Sequence, residues 1–114
     1  MGRCAEERKD PCTKLPTKNV ARKTALRQAG IPISSPPIAQ NIIPNWEQYM
    51  YKNPNGSQVP LIVSHHPADA THPCPHWHVG TAKMDGSFVQ RRNNGNGTFS
   101  WKYYKDNVTI QHRK

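Results

Sequence analysis

The sequence predicts a small α+β domain in which an N-terminal basic helix packs on an antiparallel sheet of about five strands. The clearest helical pattern, residues 17–30, precedes every strand pattern in the chain. From Trp46 onward, short runs rich in β-branched and aromatic residues are separated by Asn, Gly and Asp, which is typical of antiparallel hairpins. With 114 residues, of which 34% are hydrophobic, the chain is suited to one modest core.

The helix is predicted from its two ends and its apolar stripe. Thr17 can cap the first turn, and Gly30 occupies the position at which a left-handed residue commonly ends a helix. The apolar stripe of Ala21, Ala25 and Ala29 is thin, as expected for a helix that lies on a sheet. The rest of its surface is largely Lys and Arg.

The segments on either side of the helix are predicted to be irregular. Residues 1–16 are polar, charged and contain two prolines, so we expect a flexible linker followed by a single domain over residues 17–114. Residues 31–44 are interrupted by prolines, so we expect an extended path without regular structure.

Turn sequences divide the second half into hairpins. Residues 53–56 predict a hairpin between WEQYMYK and SQVPLIVSHH, and Pro60 indicates that the second of these strands starts late or lies at an edge. Residues 84–86 predict a hairpin between HWHVGTAK and SFVQRR. Residues 93–97 predict a third turn, and TFSWKYY and VTIQHR are expected to pair across residues 105–107.

Composition bears on partners and location. The net charge is +9, from 16 Lys and Arg against 7 Asp and Glu, which favours nucleic acid as a partner and an acidic protein as the second choice. The N terminus lacks the apolar core of a signal peptide, and no stretch has transmembrane length, so we expect neither a leader nor a membrane partner.

The cysteines are odd in number: Cys4, Cys12 and Cys74. Cys4 and Cys12 are close enough in sequence to pair, but nothing in the sequence indicates that they do. We therefore expect three free thiols in a reducing compartment.

Five of the six histidines fall in one short segment, SHHPADATHPCPHWHVG. Successive side chains of a strand point to opposite faces, so His76 and His78 should share the face opposite Trp77. Since Trp77 is a natural core residue, both histidines are expected on the open face of the sheet. His65 and His66 should emerge at a strand end on opposite faces, with at least one of them near His76 and His78.

Cationic side chains are expected beside these histidines. If Phe99, Trp101 and Tyr103 pack under the helix, alternate residues of that strand join the open face. The alternative for the charged residues is an ordinary role as solvated charges on edge strands. The candidate substrate-binding residues are Lys102, Arg91, Arg92, Lys83 and Tyr104.

This combination suits RNA cleavage without a metal. One imidazole would take the proton of the 2′-hydroxyl and a second would protonate the leaving oxygen, because histidine titrates near working pH. Lys or Arg would stabilise the charge that develops on the phosphoryl oxygens. No cofactor is needed in this reading, and the candidate catalytic residues are His66, His76, His78 and His65.

A divalent metal, Mg²⁺ or Zn²⁺, is the alternative. The spacing matches no standard structural zinc pattern, but two histidines on an ion with a third activating water would describe a ββα-metal nuclease. Asp69 is the sole carboxylate of the segment. A structural zinc site and no site at all also remain open, and we interpret His112 as an ordinary surface or core residue outside the site. The alternative ligands are His66, His72, His76 and His78.

Residues 10–40 resemble the entry segment of C-terminal toxin domains of bacterial Rhs and related polymorphic toxins. Such segments contain a basic Ala-rich helix followed by Ala-Gly-Ile-Pro, Ser and Pro, which here are residues 29–32 and 34–36. The resemblance implies a toxin that a secretion system delivers into a rival cell, where it acts in the cytoplasm. It also implies a cognate immunity protein, expected to be acidic.

The second half is similar to nuclease toxin ends in which a His-rich segment leads to Pro-His-aromatic, here Pro75, His76 and Trp77. Some of these belong with HNH/endonuclease VII nucleases, which expect an acidic residue where this chain has His65. The helix-then-sheet order resembles the barnase, colicin and RelE-like ribonucleases. The sequence thus predicts an endonuclease that prefers RNA over DNA. A nucleic-acid-binding module without catalysis and a toxin with another target, such as a transferase, are the alternatives.

Overall fold

The structure, a computed structural model, describes residues 10–104 and 108–114. These residues form one helix and nine strands, which confirms the predicted α+β class. The elements are α1 (Lys18–Gln28), β1 (Ala39–Ile43), β2 (Trp46–Tyr51), β3 (Leu61–His66), β4 (His76–Thr81), β5 (Met84–Asp85), β6 (Phe88–Val89), β7 (Arg91–Asn93), β8 (Phe99–Trp101) and β9 (Val108–Gln111).

A five-stranded antiparallel sheet, in the order β1-β2-β3-β4-β9, forms the centre of the molecule. The predicted hairpin between β2 and β3 is confirmed, and β3 begins directly after Pro60, as expected. Pairing of β3 with β4 places His66 opposite His76 and Ser64 opposite His78. This register brings the histidine-rich ends of two neighbouring strands together.

Helix α1 packs on one face of this sheet. The side chain of Thr17 accepts a hydrogen bond from the backbone of Val20, and Gly30 has a φ of 77°, so both predicted ends are confirmed. Ala21, Ala25 and Leu26 are fully buried against apolar residues of β2, β3, β4 and β9. Small alanines allow the helix axis to approach the sheet closely, and each large apolar side chain buried there contributes roughly 1.5–3 kcal/mol.

The opposite face is covered by two small hairpins, β5-β6 and β7-β8. Trp101 and Tyr103 pack there with Ile62 and Ala82 in a second apolar cluster. The prediction that the aromatic residues of TFSWKYY lie under the helix is therefore wrong. Bonds between the backbones of Tyr104 and Thr81, and of Lys83 and Lys102, hold this segment on the other side of the sheet.

Gly80 of β4 allows this second layer to approach. A Cβ at this position would lie 1.6 Å from the backbone oxygen of Tyr104 and 2.8 Å from Cδ2 of Tyr103. Any side chain at residue 80 would therefore displace the backbone of Tyr104 and the ring of Tyr103 from the sheet.

Three strand predictions are wrong. Residues 31–44 contain β1, because their prolines bracket residues 39–43 rather than interrupt them, and β1 pairs only with β2 among the described strands. HWHVGTAK pairs with β3 and β9, so the turn at 84–86 joins only β5 and β6. TFSWKYY pairs with β7 around the predicted turn at 93–97, while VTIQHR pairs with β4. Residues 105–107, across which we predicted pairing, lie outside the described residues.

A disulfide joins Cys12 and Cys74, whose Cα atoms are 5.7 Å apart. The expectation of free thiols is therefore wrong for these two residues, and Cys4 lies outside the described residues. The pairing could not be predicted from the sequence, because the two cysteines are 62 residues apart and only the fold brings them together. The described part of the predicted linker, residues 10–16, is attached to the domain, with Cys12 fully buried.

Across the described ranges, no helix combines the length and the apolar character that crossing a bilayer requires.

Candidate histidine site and cationic pocket

Three histidines of β3 and β4 meet on the face of the sheet that lies away from α1. The ring of His66 stacks on that of His76 with centroids 5.5 Å apart, and His78 lies edge-on to both, at 5.0 and 4.7 Å. The shared face that alternation predicted is thus confirmed. The expectation that this face is open is wrong, because His66, His76 and His78 are only 7, 0 and 6% exposed. The second layer and the loop of residues 67–75 cover them.

His72 joins this cluster from the loop. Its ring centroid lies 4.4 Å from that of His76 and 5.6 Å from that of His78. Asp69 shapes the loop, because its carboxylate accepts hydrogen bonds from the backbone N–H groups of Thr71 and His72. The bond from His72, the larger effect, lowers the pKa of Asp69. The loop thus holds a carboxylate in its ionised form beside the cluster.

Hydrogen bonds distinguish the two ring nitrogens of His76 and His78. Nδ1 of His76 lies 2.9 Å from the backbone oxygen of Cys74, to which it donates, and Nδ1 of His78 lies 2.9 Å from Oγ1 of Thr109. Nε2 of His76 is buried without a hydrogen-bond partner among the described residues. Burial lowers the pKa of His76, so its imidazole is neutral at pH 7.

His66 is held by two hydroxyl groups and an aromatic ring. Its Nε2 lies 3.0 Å from Oγ of Ser64 and 2.8 Å from Oη of Tyr103, and its ring packs edge-on against Trp46 at 5.0 Å. Burial raises the pKa of Tyr103 to about 12, so the phenol keeps its proton at neutral pH. These contacts fix the orientation of the His66 ring.

A pocket of about 280 Å³ opens beside His66. Its wall carries three of the predicted cations, Lys83, Arg92 and Lys102. None of the three pairs with a carboxylate of the described residues at ion-pair distance. The pocket therefore presents uncompensated positive charge beside an imidazole, which favours an anionic ligand.

The two other predicted substrate-binding residues lie outside this wall. The guanidinium of Arg91 packs over the ring of Phe99 at 4.2 Å. Tyr104 is exposed, and the amine of Lys83 lies 5.0 Å from the centre of its ring. The alternation of β7 explains the division between Arg91 and Arg92, since neighbouring residues of a strand point to opposite sides.

His65 lies apart from the other candidates, on the helix side of the sheet. Its ring packs on Trp77 at 4.7 Å, and its Nε2 lies 2.7 Å from Nε2 of His112. Burial, with a contribution from the charge of Lys18, lowers the pKa of His65 to about 4. His112, which we interpreted as an ordinary surface or core residue, is 4% exposed, because the hydrogen bond from its backbone N–H to the backbone oxygen of Pro75 holds it beside β4.

Sequence reasoning missed the residues that complete the site. Gln48 links the two layers, since its side chain accepts from the backbone N–H of Trp101 at 2.7 Å and donates to the backbone oxygen of the same residue at 3.1 Å. The signal available in the sequence was the position of Gln48, which strand alternation places on the same face as Trp46 and Met50. The other missed contributors are Trp46, Ser64, Tyr103 and Thr109, whose roles depend on pairings between distant segments.

Comparison of the chain with protein-family models, with curated proteins and with solved structures finds no match. The geometry itself therefore carries the functional argument. It places His66 and three cations around one pocket, with the other histidines of the cluster and the carboxylate of Asp69 close behind His66. This arrangement can transfer protons, bind an anion or hold a metal ion.

Proposed function

We propose that this protein is an endonuclease that cleaves phosphodiester bonds in RNA by histidine acid–base chemistry. One observation carries the proposal: His66 belongs both to the histidine cluster and to the wall of the cationic pocket. A group that can move a proton is thereby placed where a phosphate would be held. The helix-then-sheet order, which resembles that of the barnase, colicin and RelE-like ribonucleases, supports the same choice.

Binding is the first step of the proposed mechanism. Lys83, Arg92 and Lys102 line one pocket and would hold the phosphate of the scissile bond by charge-assisted hydrogen bonds. The same cations would stabilise the charge that grows on the phosphoryl oxygens in the transition state. A phosphate diester is thus oriented next to the His66 ring.

Proton transfer by two imidazoles is the second step. His66 takes the proton of the 2′-hydroxyl, whose oxygen forms a bond to phosphorus while the bond to the 5′-oxygen breaks. His78, whose ring lies edge-on to His66 at 5.0 Å, gives a proton to the leaving 5′-oxygen. The products are a 2′,3′-cyclic phosphate and a free 5′-hydroxyl. The chemistry needs a 2′-hydroxyl, and this is why we propose RNA rather than DNA.

The biological setting follows from the sequence resemblance of residues 10–40. It supports a toxin that is delivered into a rival cell and acts in its cytoplasm. The producer would be protected by an immunity protein, whose expected acidic surface would suit the cationic pocket.

Assays with total RNA and with plasmid DNA, each with and without EDTA, test the proposed activity. We expect cleavage of RNA that persists in EDTA and leaves plasmid intact. Scission of plasmid that is lost in EDTA would instead identify a metal-dependent DNase. Binding of either substrate without scission would identify a binding module, and both of these results would overturn the proposal.

The role of the pocket is tested by removing one of its cations. Arg92→Gln should weaken binding of single-stranded RNA and reduce the slope of log K against log salt by about 0.7, because one phosphate contact is lost. Arg27→Gln removes the same charge from the exposed surface of α1, on the other side of the sheet, and is the matched control. Equal effects of the two variants would show that net charge, not the pocket, governs binding.

A further inference from the structure

Three histidines of the cluster present nitrogen atoms to one another. One ring nitrogen from each of His72, His76 and His78 lies within 4.8 Å of the other two. We propose that these three residues form a binding site for a divalent transition-metal ion of the zinc class. Metal binding here depends on the geometry of the cluster and not on the proposed nuclease activity.

The strongest argument is the state of His76. Its ring is fully buried, and Nδ1 donates to the backbone oxygen of Cys74, which leaves Nε2 with a lone pair. That Nε2 atom has no hydrogen-bond partner within the described ranges. Buried polar atoms are nearly always paired, so an unpaired lone pair aimed at two other imidazoles indicates a ligand that completes the site.

The remaining contacts of the cluster are those that orient metal ligands. A histidine on a metal usually makes a hydrogen bond through its other ring nitrogen. Cys74 supplies this bond to His76, and the hydroxyl of Thr109 lies 2.9 Å from Nδ1 of His78. These two bonds fix the orientation of both rings.

The distances require only a small closure. Two nitrogens bound to one tetrahedral zinc ion at about 2.0–2.1 Å are roughly 3.3 Å apart, so the ligand atoms need to approach by about an ångström or slightly more. His72 lies on the loop of residues 67–75 and is partly exposed, so it can make this movement without disturbing the sheet. The Asp69 carboxylate, 3.8 Å from Nε2 of His76, would offset part of the charge of the ion.

The ligand type selects the metal. Imidazole nitrogens suit zinc, copper and nickel, whereas Mg²⁺ requires oxygen ligands in an octahedron. Cys74 is close in sequence, but its sulfur is in the disulfide with Cys12 and is not a thiolate ligand. Three protein ligands leave a fourth position open, as in catalytic zinc sites.

Bound zinc would affect the proposed cleavage, and this consequence rests on the proposed function. A metal ion and a proton compete for the same lone pair of His78. Zinc is therefore expected to slow metal-free cleavage of RNA, and EDTA should restore it. Cleavage that instead requires zinc would support the metal site and overturn the metal-free mechanism.

Calorimetric titration with ZnCl₂ tests the site directly, using the full chain without a histidine tag and without reductant. We expect one zinc ion per chain, a visible spectrum of four-coordinate Co²⁺ on substitution, and no comparable binding of Mg²⁺. His72→Ala should weaken zinc binding by more than about tenfold, because one of three ligands is lost. His72 is partly exposed, so the variant should keep the thermal unfolding of the parent.

His65→Gln is the matched control, since His65 faces the helix and should not alter zinc affinity. The proposal is overturned if the parent chain takes up no zinc. It is also overturned if His72→Ala and His65→Gln bind zinc as the parent does. RNA cleavage in EDTA is measured on the same samples, so failure of the metal site and failure of the nuclease proposal give different results.

Discussion

In the proposed mechanism, His66 is the residue at which proton transfer and anion binding meet. Ser64 and Tyr103 hold its Nε2, and Trp46 packs against the edge of its ring. An imidazole fixed in this way loses little entropy when a substrate arrives, which is the condition for efficient general acid–base catalysis. The pocket that it lines contains the cations needed to hold a phosphate.

We predict that His66→Gln lowers kcat/KM for an oligoribonucleotide by about 10²–10⁴-fold, the usual contribution of a general acid or base. Glutamine can keep a hydrogen bond to Ser64 or Tyr103 but cannot take up a proton at neutral pH. Binding of RNA and thermal unfolding should therefore change little. Kinetics, RNA affinity and circular dichroism on the same preparation separate these effects.

The comparison variant is His65→Gln, because the structure places His65 on the helix side of the sheet, away from the pocket. It should retain cleavage. Full activity of His66→Gln, or an equal loss in both variants, would remove His66 from the mechanism.

Strand alternation was enough to predict which face His76 and His78 occupy, since the side-chain period of a strand is two. Alternation also placed His65 and His66 on opposite faces. It could not show that His65 contacts His112, 47 residues away, or that Tyr103 reaches His66. Such contacts depend on how segments cross in space, which local patterns do not contain.

The element that presents His72 is the loop of residues 67–75, and the disulfide attaches it to the N-terminal segment. Cys12 and Cys74 are both buried, and 62 residues separate them in sequence. Closing a loop of that length removes conformational entropy from the unfolded chain worth about 4 kcal/mol in the chain-entropy account. The bond therefore stabilises both the domain and the position of this loop.

We predict that Cys12→Ala/Cys74→Ala lowers the free energy of unfolding by about 2–4 kcal/mol. Urea denaturation without reductant measures this change. The parent protein in reductant should unfold at a urea concentration similar to that of the double variant. Alkylation of the denatured, unreduced parent should modify one of the three cysteines in the chain. Modification of all three would contradict the disulfide and the predicted loss of stability together.

Elements defined by local signals were predicted well, and pairings between distant elements were not. Thr17 and Gly30 mark the ends of α1, and residues 53–56 mark the turn between β2 and β3, because caps and turns depend on neighbours in sequence. The pairing of β9 with β4 rather than β8 has no local signal. β8 pairs instead with β7, on the other side of the sheet.

For the molecule as a whole, the net charge of +9 predicted a class of partner but not the location of its site. Basic residues lie on the surface of α1 as well as around the pocket, on opposite sides of the sheet. What distinguishes Lys83, Arg92 and Lys102 is that one pocket gathers them beside His66. Net charge is a property of composition, whereas this convergence is a property of the fold.

Stability should depend on pH through the buried histidines. Burial lowers the pKa of His65 from 6.5 to about 4 and lowers the pKa of His76 in the same direction. Between pH 6.5 and about 4, the unfolded chain binds a proton at residue 65 and the folded chain does not. Acidification therefore favours unfolding in this range, whereas above it both states are neutral at this residue.

We predict that the free energy of unfolding is highest above pH 6.5 and falls as the pH approaches 4, with His65 contributing up to roughly 3 kcal/mol of the loss. Urea denaturation across this range measures the profile. His65→Gln, which has no titrating group at this position, should flatten the profile. A parent profile that is flat, or a variant profile as steep as that of the parent, would show that His65 is not held neutral by the fold.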